Sequence, residues 1–400
     1  MTSRAIAYAL AALLGLGVPR SFALLSLAVL VVLGCWGRRK QPQPPRWLLG
    51  CAGCLVLFGL SYSISQVLWG VWSPPMAWLT EIINLTVLPA ACLLAGWCLG
   101  HWAPRQGTRV MLLYILGGLL YVSLALALSR SPWWDLRQTF EQLIRVPWGG
   151  DEILNVRSVE QRGFLGLGLV PIALVFAAQK RLWISLGCGA LGIVAMHVGI
   201  STQSRIGWLV LAVDCLPLLL YLRTIWARWL VLGSLAFSAL GAVAQGRLCD
   251  ERFWLMKGFL EAMPSALWGG RQIAFSYQSC PPITTLRFGS FEGATSSLAH
   301  NVLLDVYNDT GLLPLICLLA AMIPLAWNMG KGLVSRVQHE RISKGLLLRW
   351  SLISVVVTEW LIQPFLYSDQ LMFTLAFLLA GFLLGEFHQS QHASQSPLLE

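Results

Sequence analysis

Six residues stand out for what their side chains could do. Arg205 closes the stretch Ser201-Thr-Gln-Ser-Arg205 between two apolar runs. Arg247, Arg252, Arg271 and Arg287 share one long polar segment, and His300-Asn301 follows where the chain turns apolar again. Guanidinium groups bind phosphate through paired hydrogen bonds. A histidine near its ordinary pKa accepts a proton from a hydroxyl at neutral pH. Together these residue types could hold a pyrophosphate leaving group and activate an acceptor alcohol. Each also has a plainer reading. An arginine at a helix end commonly anchors to lipid headgroups, and a lone histidine at a helix start is commonly structural. No cysteine or histidine cluster has metal-ligand spacing. The pair Cys51 and Cys54 lies inside an apolar run, where thiols pack as small hydrophobes.

The elements that position these residues follow from composition. Of 400 residues, 56% are hydrophobic and 12% are charged. A soluble domain carries roughly twice that charge. The mean hydropathy is +0.67, and apolar runs recur from end to end. A run of about 18 or more apolar residues is long enough to cross a bilayer as a helix. Runs fall at 5–18, 21–36, 47–69, 78–100, 110–128, 163–179, 182–199, 206–222, 229–244, 300–327, 349–367 and 370–386. The expected fold is therefore an all-α polytopic integral membrane protein with about twelve transmembrane helices and one large outer loop. The first two runs are broken by Pro19-Arg20, so they form either two helices or one broken helix. The first is read as an uncleaved helix, because no clear small-residue cleavage site follows it. The 19 tryptophans suit interfacial anchoring.

Charge sets the orientation. Formal net charge is +10, but the basic residues sit in short connectors, which argues for topology over nucleic-acid binding. Alternate connectors are basic: Arg38, Arg39, Lys40 and Arg46; Arg105 and Arg109; Lys180 and Arg181; Arg223 and Arg228; Lys331, Arg336, Arg341, Lys344 and Arg349. Their only acid is Glu340. These connectors are expected inside, and the remaining ones, 70–77, 129–162, 200–205, 245–299 and the turn near 368, outside. The organisation expected is transmembrane helices over 1–244, an outer loop over 245–299, three further spans over 300–386, and a polar, disordered cytoplasmic tail from 387 to 400. Within 129–162, Trp133, Leu136, Phe140 and Leu143 repeat at helical spacing with charged residues between. That pattern reads as an amphipathic helix on the outer leaflet.

Several motifs in this frame carry a resemblance. Ala299-His300-Asn301, nine residues, then Gly311-Leu-Leu-Pro314 resembles the signature of the O-antigen ligases, with Asp305, Asp309 and Thr310 familiar in between. Ser204-Arg205 before an apolar helix resembles the Ser-Arg motif of that family. Arg252-Phe-Trp254, with Pro264 and Gly269-Gly270, resembles the stretch that opens its large loop. The likeness covers about residues 195–320 by motif and the rest by topology. It marks the superfamily of O-antigen ligases and polymerases more specifically than any member. One departure is Pro314, where many relatives carry a second glycine.

The resemblance implies an inverting glycosyl transfer with no metal and no cofactor, in the periplasmic leaflet of a bacterial inner membrane. The donor would be an undecaprenyl-pyrophosphate-linked glycan and the acceptor a sugar hydroxyl of lipid A-core. His300 would be the catalytic base, or would at least orient the acceptor hydroxyl. Arg205 and Arg252 would bind the pyrophosphate, with Asn301 and Asp369 completing the substrate site. An O-antigen polymerase or a protein O-oligosaccharyltransferase of the same superfamily is the alternative. The periplasm is oxidising, so Cys249 and Cys280, both in the large loop, are candidates for a disulfide. A transporter of lipid-linked sugars is the rival class. Its signal would be the ionisable residues within apolar runs, Glu81, His197, Asp214 and Glu359. Against it, no paired halves with matching broken helices are visible.

Overall fold

The computed structural model describes residues 43–68, 82–128, 163–201, 206–221, 251–262, 275–279, 292–296, 298–339, 344–362 and 370–395, with isolated residues between 8 and 12 and between 225 and 236. The first helix, α1 (Arg46–Leu68), is followed by a π-helical turn, Ile83–Val87, that runs into α2 (Leu88–Trp102). Next come α3 (Pro104–Leu128), a 3₁₀ turn at Gly166–Leu169, α4 (Val170–Ala178), α5 (Leu182–Ser201) and α6 (Ile206–Tyr221). The large polar segment contributes α7 (Glu251–Ala262) and strands β1 (Phe275–Ser279) and β2 (Glu292–Ser296). The chain closes with α8 (Val302–Thr310), α9 (Leu312–His339), α10 (Lys344–Trp360) and α11 (Gln370–Gln395).

The described residues are almost entirely helical. Three helices among the described residues are long and apolar enough to cross a bilayer: Arg46–Leu68, Ile83–Trp102 and Leu312–Ser335. Shorter apolar helices lie at Gly163–Ala177, Leu182–Ala195 and Phe373–Gln389. The departure from an all-helical chain is the antiparallel β1–β2 pair, in register from Phe275 opposite Ser296 to Ser279 opposite Glu292. The outward faces of α1, α5 and α9 carry exposed Leu57, Trp183, Ile193 and Ile323, as helices facing lipid do. The expected amphipathic helix at 129–162 lies outside the described residues.

Two local features have readable causes. Pro89 has no N–H to return to the carbonyl of Leu85, and the helix widens into its π turn just there. The Leu85 carbonyl then lies over Gly59 of α1, where any Cβ would overlap it. The α4–α5 turn is equally tight. Arg181 N–H donates to Phe176 O at 3.0 Å and Lys180 N–H to Ala177 O at 2.9 Å, with Lys180 left-handed at φ 57°. This is a helix-ending motif that usually uses glycine.

The core is held by α2 against α11. Gly96 and Gly100 meet the backbone of Leu378 and Phe382, while Gly381 and Gly385 meet that of Leu93 and Trp97. The two Gly-x-x-x-Gly pairs thus interlock, and a Cβ at any of the four would strike a carbonyl oxygen. The helices run parallel, the direction that alternation of the basic connectors gives each of them. Small residues matter here because lipid supplies no hydrophobic drive between helices, so close van der Waals approach must.

Two expectations are corrected. Arg349, counted with the basic connectors, is 2% exposed and lies inside α10. It pairs with Glu386 of α11, donates to Thr108 Oγ1 of α3 at 2.6 Å, and sits 4.6 Å from the Phe382 ring centroid. A buried guanidinium demands such partners. The polar C-terminal stretch is also not a disordered tail from 387. Helix α11 continues without a break to Gln395, and Phe387 remains packed in the core.

Candidate functional site

The predicted run 300–327 is two helices. Gly311 has φ 89° and ψ −170°, a combination open essentially to glycine alone. Its N–H donates to Tyr307 O at 2.9 Å and ends α8. The apolar span begins afresh at Leu312. Pro314 falls in the first turn of α9, where backbone N–H groups have no intrahelical acceptor and proline costs nothing. The departure from the motif therefore suits a helix start.

Helix α8 begins with a polar scaffold. Asn301 is its N-cap, and its Oδ1 accepts from the N–H of Leu303 at 3.0 Å and of Leu304 at 3.3 Å. Its Nδ2 donates to the carbonyl of Leu361, at the end of α10, at 3.2 Å. Both ends of the Asn301 amide are thereby engaged with this chain's own backbone. Asp305, 1% exposed, reaches back with Oδ1 to accept from Ala299 N–H at 2.6 Å. The reach spans six residues, twice that of a capping box.

His300 sits between these anchors. It is 8% exposed and left-handed, at φ 58°. A residue with a Cβ pays roughly 1–2 kcal/mol for that conformation, although histidine tolerates it better than most. Strain of this kind persists only where surroundings over-determine it, and it is concentrated at functional sites.

Helix α7 packs on the same place. Leu255 and Phe259 form a fully buried cluster with Ala299, and Leu304 lies against it. Arg252 stands in the first turn of α7, three residues before Leu255. The fold therefore brings the α7 backbone that carries Arg252 beside the His300 segment. Arg205, Asp369, Arg247, Arg271, Arg287, Cys249 and Cys280 lie outside the described residues. Arg205 immediately precedes α6, and Asp369 immediately precedes α11.

The acids of α8 shape the electrostatics. Asp309 is 5% exposed and one turn beyond Asp305. Burial, reinforced by the neighbouring Asp305 carboxylate, pushes its carboxyl up to about 8. Asn308 and Thr310 on the same helix are buried too, and Thr310 Oγ1 donates to Val306 O at 2.7 Å.

The ionisable residues that favoured a transporter are placed only in part. Asp214 and Glu359 are wholly buried. The Asp214 carboxylate of α6 faces the Ser351 hydroxyl of α10. Glu81 and the His197 side chain lie outside the description. Among the described residues, no group of three histidine, cysteine or acidic side chains could hold a metal ion.

Sequence reasoning passed over the anchors of His300. The N-cap role of Asn301 was readable, since asparagine before an apolar helix is a standard start signal. The backward reach of Asp305 was half-readable, as an acid in the first turn. The Leu361 carbonyl had no sequence signal at all. No protein-family model matches the chain, and no characterised protein matches it in sequence.

Proposed function

We propose that the chain is a glycosyltransferase of the O-antigen ligase type, acting at the periplasmic face of a bacterial inner membrane. The reading rests on one observation above the others. His300 is held left-handed and nearly buried at the head of α8, with the Arg252-bearing helix packed beside it. The motif order around it supports the same reading. His300 takes the proton from a sugar hydroxyl of lipid A-core as that oxygen attacks the anomeric carbon of the donor glycan. The bond from that carbon to undecaprenyl pyrophosphate breaks on the opposite face, so configuration inverts. Arg205 and Arg252 receive the growing charge on the pyrophosphate. Neutralised in this way, pyrophosphate leaves without a general acid, and no metal or cofactor takes part. Asp369 orients His300 or an arginine, and Asn301 completes the substrate site beside His300. An O-antigen polymerase or protein O-oligosaccharyltransferase would use the same residues with a different acceptor.

The test is transfer by the purified protein from undecaprenyl-pyrophosphate glycan to lipid A-core, with chelator present and no ATP. The expected result is glycosylated lipid A-core of inverted anomeric configuration. Product formed only on a glycan or protein acceptor would reassign the chain within the superfamily. No transfer to any of the three acceptors would remove the reading.

A further inference from the structure

The residues on both sides of His300 are tied down by hydrogen bonds at the head of α8. On the C-terminal side, Asn301 is bonded to Leu303, Leu304 and Leu361. On the N-terminal side, the Ala299 amide donates to Asp305 Oδ1 at 2.6 Å, and Ala299 is wholly buried against Leu255 and Phe259. A left-handed residue between two free neighbours would relax towards φ below zero. Between two fixed ones, its Cα–Cβ direction is set. Of the two anchors, only the Asp305 bond acts on the chain before His300, through the Leu298–Ala299 peptide. It is short and its acceptor is a carboxyl group, as in the stronger class of hydrogen bond.

We infer that Asp305 is a positioning residue for the transfer reaction: by accepting from the Ala299 amide it holds His300 left-handed, with its imidazole aimed at the acceptor hydroxyl. The inference rests on the proposed role of His300 as base. Asp305 itself touches neither substrate. Its loss should therefore slow the chemical step and leave donor binding alone. Catalytic groups displaced by about 1 Å commonly lose on the order of 10²-fold in rate.

Three variants of the full-length protein, compared in detergent or in liposomes, test this. Asp305→Ala removes the acceptor and should lower kcat on the order of 10²-fold, with donor Kd within about threefold of wild type. Asp305→Asn keeps an accepting oxygen and should recover to within about tenfold of wild type, since a neutral acceptor makes a weaker bond. In the third, an ester replaces the Leu298–Ala299 amide, which deletes the donor proton and leaves Asp305 intact. It should lose kcat about as much as Asp305→Ala, and combining the two should add little. If Asp305→Ala fails to fold, the ester and Asp305→Asn still decide. An ester variant with wild-type kcat would overturn the inference. So would equal losses in Asp305→Asn and Asp305→Ala, or a donor Kd that rises in step with the loss of rate. If His300→Ala is inactive while the ester variant is fully active, only the inference fails. If His300→Ala is itself fully active, the underlying reading fails.

Discussion

At the scale of single residues, the site is a histidine whose conformation is maintained by its neighbours. His300 stood out in the sequence because its type and place suit proton transfer. Its left-handed backbone did not, since φ is imposed by tertiary anchors. One of those anchors, the Leu361 carbonyl that holds Asn301, lies 60 residues from Asn301 in sequence, which no local pattern reports. Asp309 near the end of α8 is also a tertiary product, an acid made reluctant to ionise by burial. Its folded pKa of about 8 stands above its ordinary 3.8. Between those values the folded chain keeps a proton that the unfolded chain releases, so stability falls as pH rises through that window and levels off above it. Asp309→Asn cannot ionise. Its thermal midpoint should exceed that of wild type at pH 8 and fall less between pH about 4 and 8, the two pKa limits. Parallel midpoint–pH curves for the two proteins would show that Asp309 does not retain the proton.

At the scale of elements, hydropathy located the described apolar helices but drew several of their boundaries wrongly. Length and apolarity alone identify a span, so 47–69 and Arg46–Leu68 agree almost residue for residue. Hydropathy does not register a backbone break inside an apolar run, and it read 300–327 as one helix where Gly311 divides it. Nor does it follow a helix past its apolar part, which is why the extension of α11 to Gln395 was missed. Arg349 was misassigned for a related reason. A basic residue at the edge of a run looks like a loop until its partner Glu386, on another helix, is known. Gly311 carries a consequence for the site. Its conformation is one that a Cβ strains by about 1–3 kcal/mol, and it fixes the angle at which α8 enters α9. Gly311→Ala should lower stability by that amount and reduce transfer, whereas Pro314→Ala, in a first turn where either residue fits, should leave both nearly unchanged. Thermal unfolding with a parallel rate measurement checks this. A Gly311→Ala protein as stable as wild type would contradict the backbone assignment.

At the scale of the whole molecule, the described contacts order the two ends of the chain's helices. Helix α10 meets Thr108 and Glu386 through Arg349, and twelve residues later its end accepts from Asn301 beside His300. A helix rises about 1.5 Å per residue, so a cluster from the basic end and the candidate site stand about 18 Å apart along one helix. The proposed orientation, taken from the positive-inside rule, sets the basic end to the cytoplasm and His300 to the periplasm. A single cysteine at Ser290, in a background with Cys249 and Cys280 replaced, should react with an impermeant thiol reagent in cells whose outer membrane is permeabilised. Protection there, with labelling only after lysis, would invert the orientation and remove the periplasmic reading.

The central claim is that His300 accepts the proton in glycosyl transfer, and His300→Ala tests it most directly. Transfer rate and donor affinity should be measured on the same purified protein, shown to be folded by its thermal midpoint. The rate should fall by roughly 10²–10⁴-fold, the range expected for a proton-transfer residue, with donor affinity within about threefold of wild type, since the proposal gives the pyrophosphate to the arginines and not to the histidine. A variant that kept more than about a tenth of the wild-type rate would fall short of that range and contradict the assignment of His300 as base.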